Sequence, residues 1–243
     1  MIPAMSLPVE ETKDPAEIEA MFSRIAPRYD LGNRVLSFGR DMAWRRGGVR
    51  MAAPADDANI LDMACGTADM MAVVMRRKGF HGHLVGVDLS KPMLEVAERK
   101  LRRIRTAATF ELRQGNALEL ADANSTYDLV TICWGIRNFS DPKRGFSEVK
   151  RLLKPGGKFL VIEFFAIDKE PGYVRFYVKY ILPPLGGLVT GGRFAYKYLT
   201  LSKQKFMTAD AFIEMGEGFG LKLIGRRVLT FGVAEIILFR EDL

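Results

Sequence analysis

The sequence predicts a doubly wound α/β fold with a mostly parallel sheet, and three observations carry that reading. From Asn59 onward, short apolar runs alternate with amphipathic stretches of helical period, the pattern of a parallel sheet covered on both faces. The first run, Ile60–Ala64, ends in Cys65-Gly66, a strand-to-helix turn where glycine lets the backbone approach a ligand closely. The second, His83–Leu89, carries an acid at Asp88, where such folds place a carboxylate for a ribose.

The remaining elements follow in chain order. Asp14 is an N-cap, Pro15 suits the first helical position and Glu17 completes a capping-box spacing. Ile18, Met21, Phe22 and Ile25 then form one apolar stripe. Tyr29–Arg50 reads as helical, although it mixes aromatic, glycine and arginine residues. After the first strand a helical stretch stops near Gly79, and Ser90 caps a basic helix running to about Arg105. Thr109–Arg113 alternates as a third strand and Tyr127–Trp134 is a fourth. Asp141-Pro142 opens a helix, and the turn at residues 154–157 delivers the apolar strand Lys158–Phe165. Residues 171–206 are rich in tyrosine, phenylalanine, lysine and glycine without a clear strand. A helix at 208–219, capped by Thr208, precedes two β-like runs, Lys222–Thr230 and Val233–Phe239, placed to form a terminal hairpin. No repeat or linker divides the chain, so residues 1–243 read as one domain. It carries an N-terminal helical cap at about 14–52 and an insertion at about 171–206.

Two cysteines, Cys65 and Cys133, are too few for a disulfide framework and lack metal-ligand spacing. Buried thiols in a reducing cytoplasm fit them, and no metal is expected. The first fifteen residues show no basic start followed by an apolar run, so no signal peptide is expected. The apolar stretch 181–189 is broken by Pro183, Pro184, Gly186 and Gly187, and no window reaches membrane-spanning length. A net charge of +7 attracts nucleic acid or an anionic membrane face, without choosing between them.

The strand ends converge on one ligand. Gly66 lies between Asp62 and Asp69, acids that suit a cationic amino-acid ligand better than a pyrophosphate, which would prefer a fuller glycine motif. Asp88 can accept both ribose hydroxyls. Asn116, after the third strand, offers an amide to an adenine edge. Together they make an adenosine site.

With these residues in view, Leu61–Thr67, Gly86–Asp88 and Arg151–Gly157 resemble class I S-adenosylmethionine-dependent methyltransferases. That resemblance implies a seven-stranded Rossmann-like sheet. It also implies S-adenosylmethionine as cofactor, S-adenosylhomocysteine as product, and no metal. Asp62, Gly66 and Thr67 would lie near the methionine part, Asp88 and Leu89 at the ribose, and Asn116 and Ala117 near adenine. Ala68 departs from the wider pattern, which often has glycine there. Tyr29–Asn33 with Ser37, Gly39 and Trp44 resembles a signature of the ubiquinone/menaquinone biosynthesis C-methyltransferase family. Gly135–Asn138, Arg151–Glu163, Tyr198-Leu199 with Ser202 and Phe206, and Thr230–Ala234 are similar to further motifs of that family. Lys203 stands where isoleucine is common, and no histidine follows Glu235. Asp41, where some relatives have histidine, is closer to menaquinone-type members.

The resemblance implies carbon methylation of a prenylated quinol, most closely demethylmenaquinol to menaquinol. A ring carbon is nucleophilic only once an adjacent hydroxyl ionises, so the acceptor should be the reduced ring. Arg137 stays protonated and cannot act as a simple base. It is expected to stabilise the quinolate, with Asn138 and Tyr29 or Tyr198 fixing the ring and water or Asp30 taking the final proton. Trp44, Tyr198 and Ser202 are expected on the acceptor side, with Phe176, Tyr177 and Tyr180 as further candidates for its lining. His81 and His83 fall at the opposite end of the sheet. Other readings stay open: a different small-molecule or lipid methyltransferase, or a cofactor-binding scaffold without turnover. No nucleic-acid partner is expected, since Trp134-Gly-Ile-Arg137 stands where an amine-methylating motif would lie. The 171–206 segment suits either a lid or contact with the inner face of the cytoplasmic membrane, and a homodimer is also open.

Overall fold

The computed structural model describes residues 14–167, 172, 176–181, 184 and 193–242. Three helices lead the chain: α1 (Pro15–Ile25), α2 (Tyr29–Leu36) and α3 (Arg40–Ala52). The Asp14 side chain accepts the Ala16 N–H at 2.9 Å and starts α1. The single helical segment expected over 29–50 is two helices. Phe38 (φ 53°) and Gly39 (φ 72°) take left-handed backbone between them, which a continuing helix cannot accommodate.

The strands are β1 (Asn59–Met63), β2 (His83–Asp88), β3 (Thr109–Gln114), β4 (Tyr127–Cys133), β5 (Leu153–Glu163), β6 (Leu221–Leu229) and β7 (Ala234–Glu241). Between them lie α4 (Asp69–Met75), α5 (Lys91–Leu101), α6 (Pro142–Leu152), α7 (Arg193–Lys205) and α8 (Ala209–Gly218). They form one sheet in the order β3-β2-β1-β4-β5-β7-β6. β1 to β5 are parallel, and β7 runs antiparallel to both neighbours. This is the mostly parallel seven-stranded sheet with an antiparallel C-terminal hairpin. β5 starts five residues earlier than its apolar run. Leu153 already pairs with Tyr127, and residues 154–157 bulge out before Lys158 pairs with Leu129.

Period-two alternation sorts each strand between two cores. Ile60, Leu84, Leu129, Leu160 and Ile162 pack with α3, α4 and α5 through residues such as Val49, Met71 and Leu101. Leu61, Val85, Val130, Phe159 and Val161 pack with α6 and α8 through Phe146, Val149 and Phe212. A third cluster seats α1 (Ile18, Met21, Ile25) on Met93 of α5 and Tyr198 of α7. Strand order reverses between β1 and β4, so the crevice at their carboxyl ends is where such sheets bind ligands. Among the described residues no helix is long and apolar enough to cross a membrane. The proline and glycine residues singled out between 182 and 192, apart from Pro184, lie outside the described residues.

Candidate cofactor and acceptor site

Two cavities open at the carboxyl ends of the strands and share Phe22, Tyr29 and Trp134 as lining. The first, of about 110 Å³, is walled by the turn after β1, the ends of β2 and β4, and α1. The second, of about 410 Å³, lies between α2, α3, α7 and the hairpin turn at 230–233 and is lined mainly by apolar and aromatic side chains.

The turn after β1 is built from left-handed residues at Ala64, Gly66 and Ala68. Its geometry is tied to β2: Gly66 N–H donates to one oxygen of Asp88 at 2.8 Å, and Ser90 N–H donates to the other at 2.9 Å. Asp88 is thereby aimed along the first cavity, and burial raises its pKa. Asp62 is fully buried under the Thr131 hydroxyl, which donates to it at 2.6 Å, and burial pushes its pKa up to about 7. Leu89, Asn116, Ala117 and Thr67 line the same cavity. Asn116 spends its side-chain oxygen on Leu118 N–H at 3.0 Å. The predicted adenosine residues are thus brought together, and a cavity with a carboxylate, a carboxamide and a glycine turn fits the expected cofactor. Among the described residues there is no cluster of metal-ligating side chains.

Trp134 divides the two cavities. It sits just past β4 with φ 59°, an unusual conformation for a bulky residue and one that accumulates at functional sites. Its ring stacks on Phe164 at 5.6 Å and meets Trp44 edge-on at 6.1 Å. Its indole N–H is buried without a hydrogen-bond partner.

Arg137 lines the second cavity and is almost fully buried. Nη1 donates to Glu163 at 2.8 Å and to the Trp134 carbonyl at 2.7 Å, while Nε reaches Ser202 Oγ at 3.4 Å. Glu163 ends β5 and has no exposed surface. Burial raises its pKa, against the opposing pull of Arg137. Asn138 faces the first cavity, and its side-chain oxygen accepts the Tyr198 hydroxyl at 3.1 Å. Burial pushes the Tyr29 phenol up to about 12. Trp44, Tyr177 and Tyr198 line the second cavity. Ser202 lies behind Arg137, donating to the Leu199 carbonyl at 3.2 Å, and is not part of either wall. Phe176 and Tyr180 are exposed and pair with each other. Asp30 faces neither cavity: it holds Lys100 at 2.6 Å and accepts the Thr67 hydroxyl at 2.6 Å.

Sequence reasoning missed Glu163 and Arg45. Arg45 lines the first cavity, buried between Asp41 and Asp69 with its guanidinium 4.1 Å over the Trp134 ring. Asp69 is pulled up by burial, but Arg45 and Lys100 outweigh that and hold it down to about 2. The signals were a basic pair directly after Trp44 and an acid ending an otherwise apolar strand. Both are ordinary on a surface and costly in a core.

Comparison with known proteins adds to this geometry. Residues 9–238 match the model of the ubiE/COQ5 methyltransferase family. A demethylmenaquinone methyltransferase from Thermus thermophilus is 41% identical over 220 residues, 89% of this chain and 97% of that one. A ubiquinone/menaquinone biosynthesis C-methyltransferase from Geotalea daltonii is 36% identical over 229 residues, 93% of this chain and 96% of that one. Among solved structures, a S-adenosylmethionine-dependent methyltransferase from Thermotoga maritima superposes with a TM-score of 0.64. It covers 93% of this chain and all of its own at 16% identity, a likeness of fold alone.

Proposed function

Since the chain belongs to the ubiE/COQ5 methyltransferase family and is a S-adenosylmethionine-dependent methyltransferase, we propose that it methylates a ring carbon of demethylmenaquinol to give menaquinol. The observation that carries this reading is the pair of cavities meeting at Tyr29 and Trp134: a smaller one edged by acids and suited to the donor, and a larger aromatic one suited to a prenylated ring. Three of the similar proteins, from Thermus, Deinococcus and Thermotoga, bear the name demethylmenaquinone methyltransferase, which favours the naphthoquinol over the benzoquinol.

Bound S-adenosylmethionine supplies a methyl group activated by a positive sulfonium. In this reading Asp88 takes the ribose hydroxyls, Asn116 and Ala117 the adenine, and Asp62, Gly66 and Thr67 surround the amino-acid end. Arg137 presents positive charge to the acceptor cavity, fixed by Glu163 and the Trp134 carbonyl, and so favours the ionised quinol as it forms. Tyr29, neutral at physiological pH, donates a hydrogen bond to the ring rather than accepting its proton. Tyr198 and Asn138 hold each other, joining α7 to the β4 end. The ring proton leaves to water, because Asp30 is engaged by Lys100 and Thr67. Positioning therefore supplies much of the rate. Phe38 and Phe231, both largely exposed at the mouth of the acceptor cavity, serve to rest that mouth on a membrane from which the prenyl tail enters.

The test is methyl transfer from labelled S-adenosylmethionine to chemically reduced demethylmenaquinol and to a demethylated benzoquinol, each beside its oxidised form. Product from the reduced naphthoquinol alone is the expected outcome. Product from an oxidised ring would remove the quinolate mechanism, and preference for the benzoquinol would reassign the acceptor.

A further inference from the structure

We propose that Arg45 receives the carboxylate of the cofactor's amino-acid end, an assignment that rests on the methyl-donor reading of the smaller cavity. That cavity is lined by four acids, Glu19, Asp62, Asp69 and Asp88, and among the described residues Arg45 is its one cationic side chain. An S-adenosyl amino acid brings both an ammonium and a carboxylate. The ionised acids, Asp69 above all, suit the ammonium and repel the carboxylate, an anion that Arg45 is placed to receive.

The geometry of Arg45 is that of a prepared receptor. Nη1 donates to Asp41 at 2.9 Å, Nη2 lies 3.7 Å from Asp69, and the plane rests on Trp134. Nε is buried without a hydrogen-bond partner. An orphaned guanidinium N–H in a buried site is costly, and an anionic acceptor turns that cost into a charge-assisted bond. Arg34, Arg45 and Lys100 balance Asp41, Asp69 and Asp30 in one ion-pair cluster, so what Arg45 has left to offer is the unpartnered Nε donor. Arg34 pairs with Asp41 and Asp69, and Lys100 bridges Asp69 at 2.5 Å to Asp30 at 2.6 Å. The side chain is also held before ligand arrives, so little rotamer freedom is lost on binding.

Calorimetric titration of the full chain tests this with three ligands: S-adenosylhomocysteine, its carboxyl methyl ester, and 5′-methylthioadenosine, which lacks the amino-acid end. For the unaltered protein, esterification should weaken binding roughly 10- to 100-fold, the range for one charged hydrogen bond. Arg45→Met should weaken S-adenosylhomocysteine by a similar factor, leave methylthioadenosine within about twofold, and abolish the difference between acid and ester. Equal losses for all three ligands would make Arg45 merely structural and overturn the assignment. So would an ester that binds the unaltered protein as tightly as the acid, and that comparison decides the matter even if Arg45→Met does not fold. Failure of the unaltered protein to bind any of the three would sink the methyl-donor reading of the cavity itself.

Discussion

Asp62 carries the clearest pH signature in the molecule. Burial beneath Thr131 pushes it up to about 7, while in the unfolded chain it titrates near 4. Between those values the native state keeps a proton that the unfolded chain has released, so stability from this group is full at low pH and is lost as pH rises through the window. The three-unit gap sets an upper bound of about 4 kcal/mol. In Asp62→Asn the melting temperature should fall less than in the parent between about pH 4 and 7, the window set by the two pKa values. Parallel profiles would mean that the carboxyl is ionised throughout. Arg137 poses a different problem at the same scale. Removing it alone leaves Glu163 buried and unpaired, a loss of about 3–5 kcal/mol that would confuse any kinetic reading. The informative variant is therefore Arg137→Met combined with Glu163→Gln. Its turnover should drop about 100-fold or more, in line with loss of one preorganised charge, while S-adenosylhomocysteine affinity stays near that of the parent. Retained turnover would remove Arg137 from the chemistry.

At the scale of elements, the turn from β1 to α4 is where backbone conformation and binding meet. A methyl added at Gly66 would meet no atom within 4 Å, yet its φ of +55° would strain any other residue by about 1–2 kcal/mol. Gly86, one strand over, is the reverse case. Its backbone is ordinary, but a methyl would stand 2.6 Å from Met71 Sδ and 2.8 Å from Leu112 Cδ2, an overpacking typically worth about 1–3 kcal/mol. Gly66→Ala should thus lower cofactor affinity with a modest loss of melting temperature, and Gly86→Ala should lower the melting temperature with affinity per folded molecule retained. Calorimetry on both variants, beside thermal melts, separates the two. The elements themselves were largely legible in the sequence. β1, β2 and β4 are apolar runs bounded by turns, and Asp14, Ser90, Asp141 and Thr208 accept the backbone N–H bonds expected of caps. Two helix ends were read too far, since α4 stops at Met75 rather than near Gly79 and α5 at Leu101 rather than about Arg105. Two further boundaries were hidden. Gly39 sits in a segment with helical composition on both sides, and the break between α2 and α3 depends on backbone angles at Phe38 and Gly39. The early start of β5 depends on pairing with Tyr127 across a bulge, a tertiary fact with no local signature.

For the whole molecule, the same distinction separates the legible part of the site from the rest. Asp88, Gly66 and Asn116 stand at strand ends, where topology alone marks them. Glu163 acquires meaning only from Arg137, 26 positions away, and Arg45, beyond its helical neighbour Asp41, from Asp69, 24 positions away, distant pairings that no local pattern announces. The surface bears on how the proposed prenylated ring would reach the acceptor cavity. Phe38 is 78% exposed and Phe231 72%, each held outward on left-handed backbone at the cavity mouth. Apolar rings so placed lose energy in water and gain it in the headgroup region of a bilayer, and a chain of net charge +7 is drawn to an anionic leaflet. Cosedimentation with vesicles containing anionic lipid should therefore retain the unaltered protein and release it as salt is raised. Phe38→Asp combined with Phe231→Asp should weaken that binding about tenfold or more. Turnover of a short-tailed, water-soluble quinol should persist in the same variant, because neither ring belongs to the catalytic groups proposed above. If the double variant binds vesicles as the parent does, the mouth is not the membrane face. If it loses turnover on the short-tailed acceptor as well, these phenylalanines act by closing the cavity, and delivery of the tail must proceed by another route.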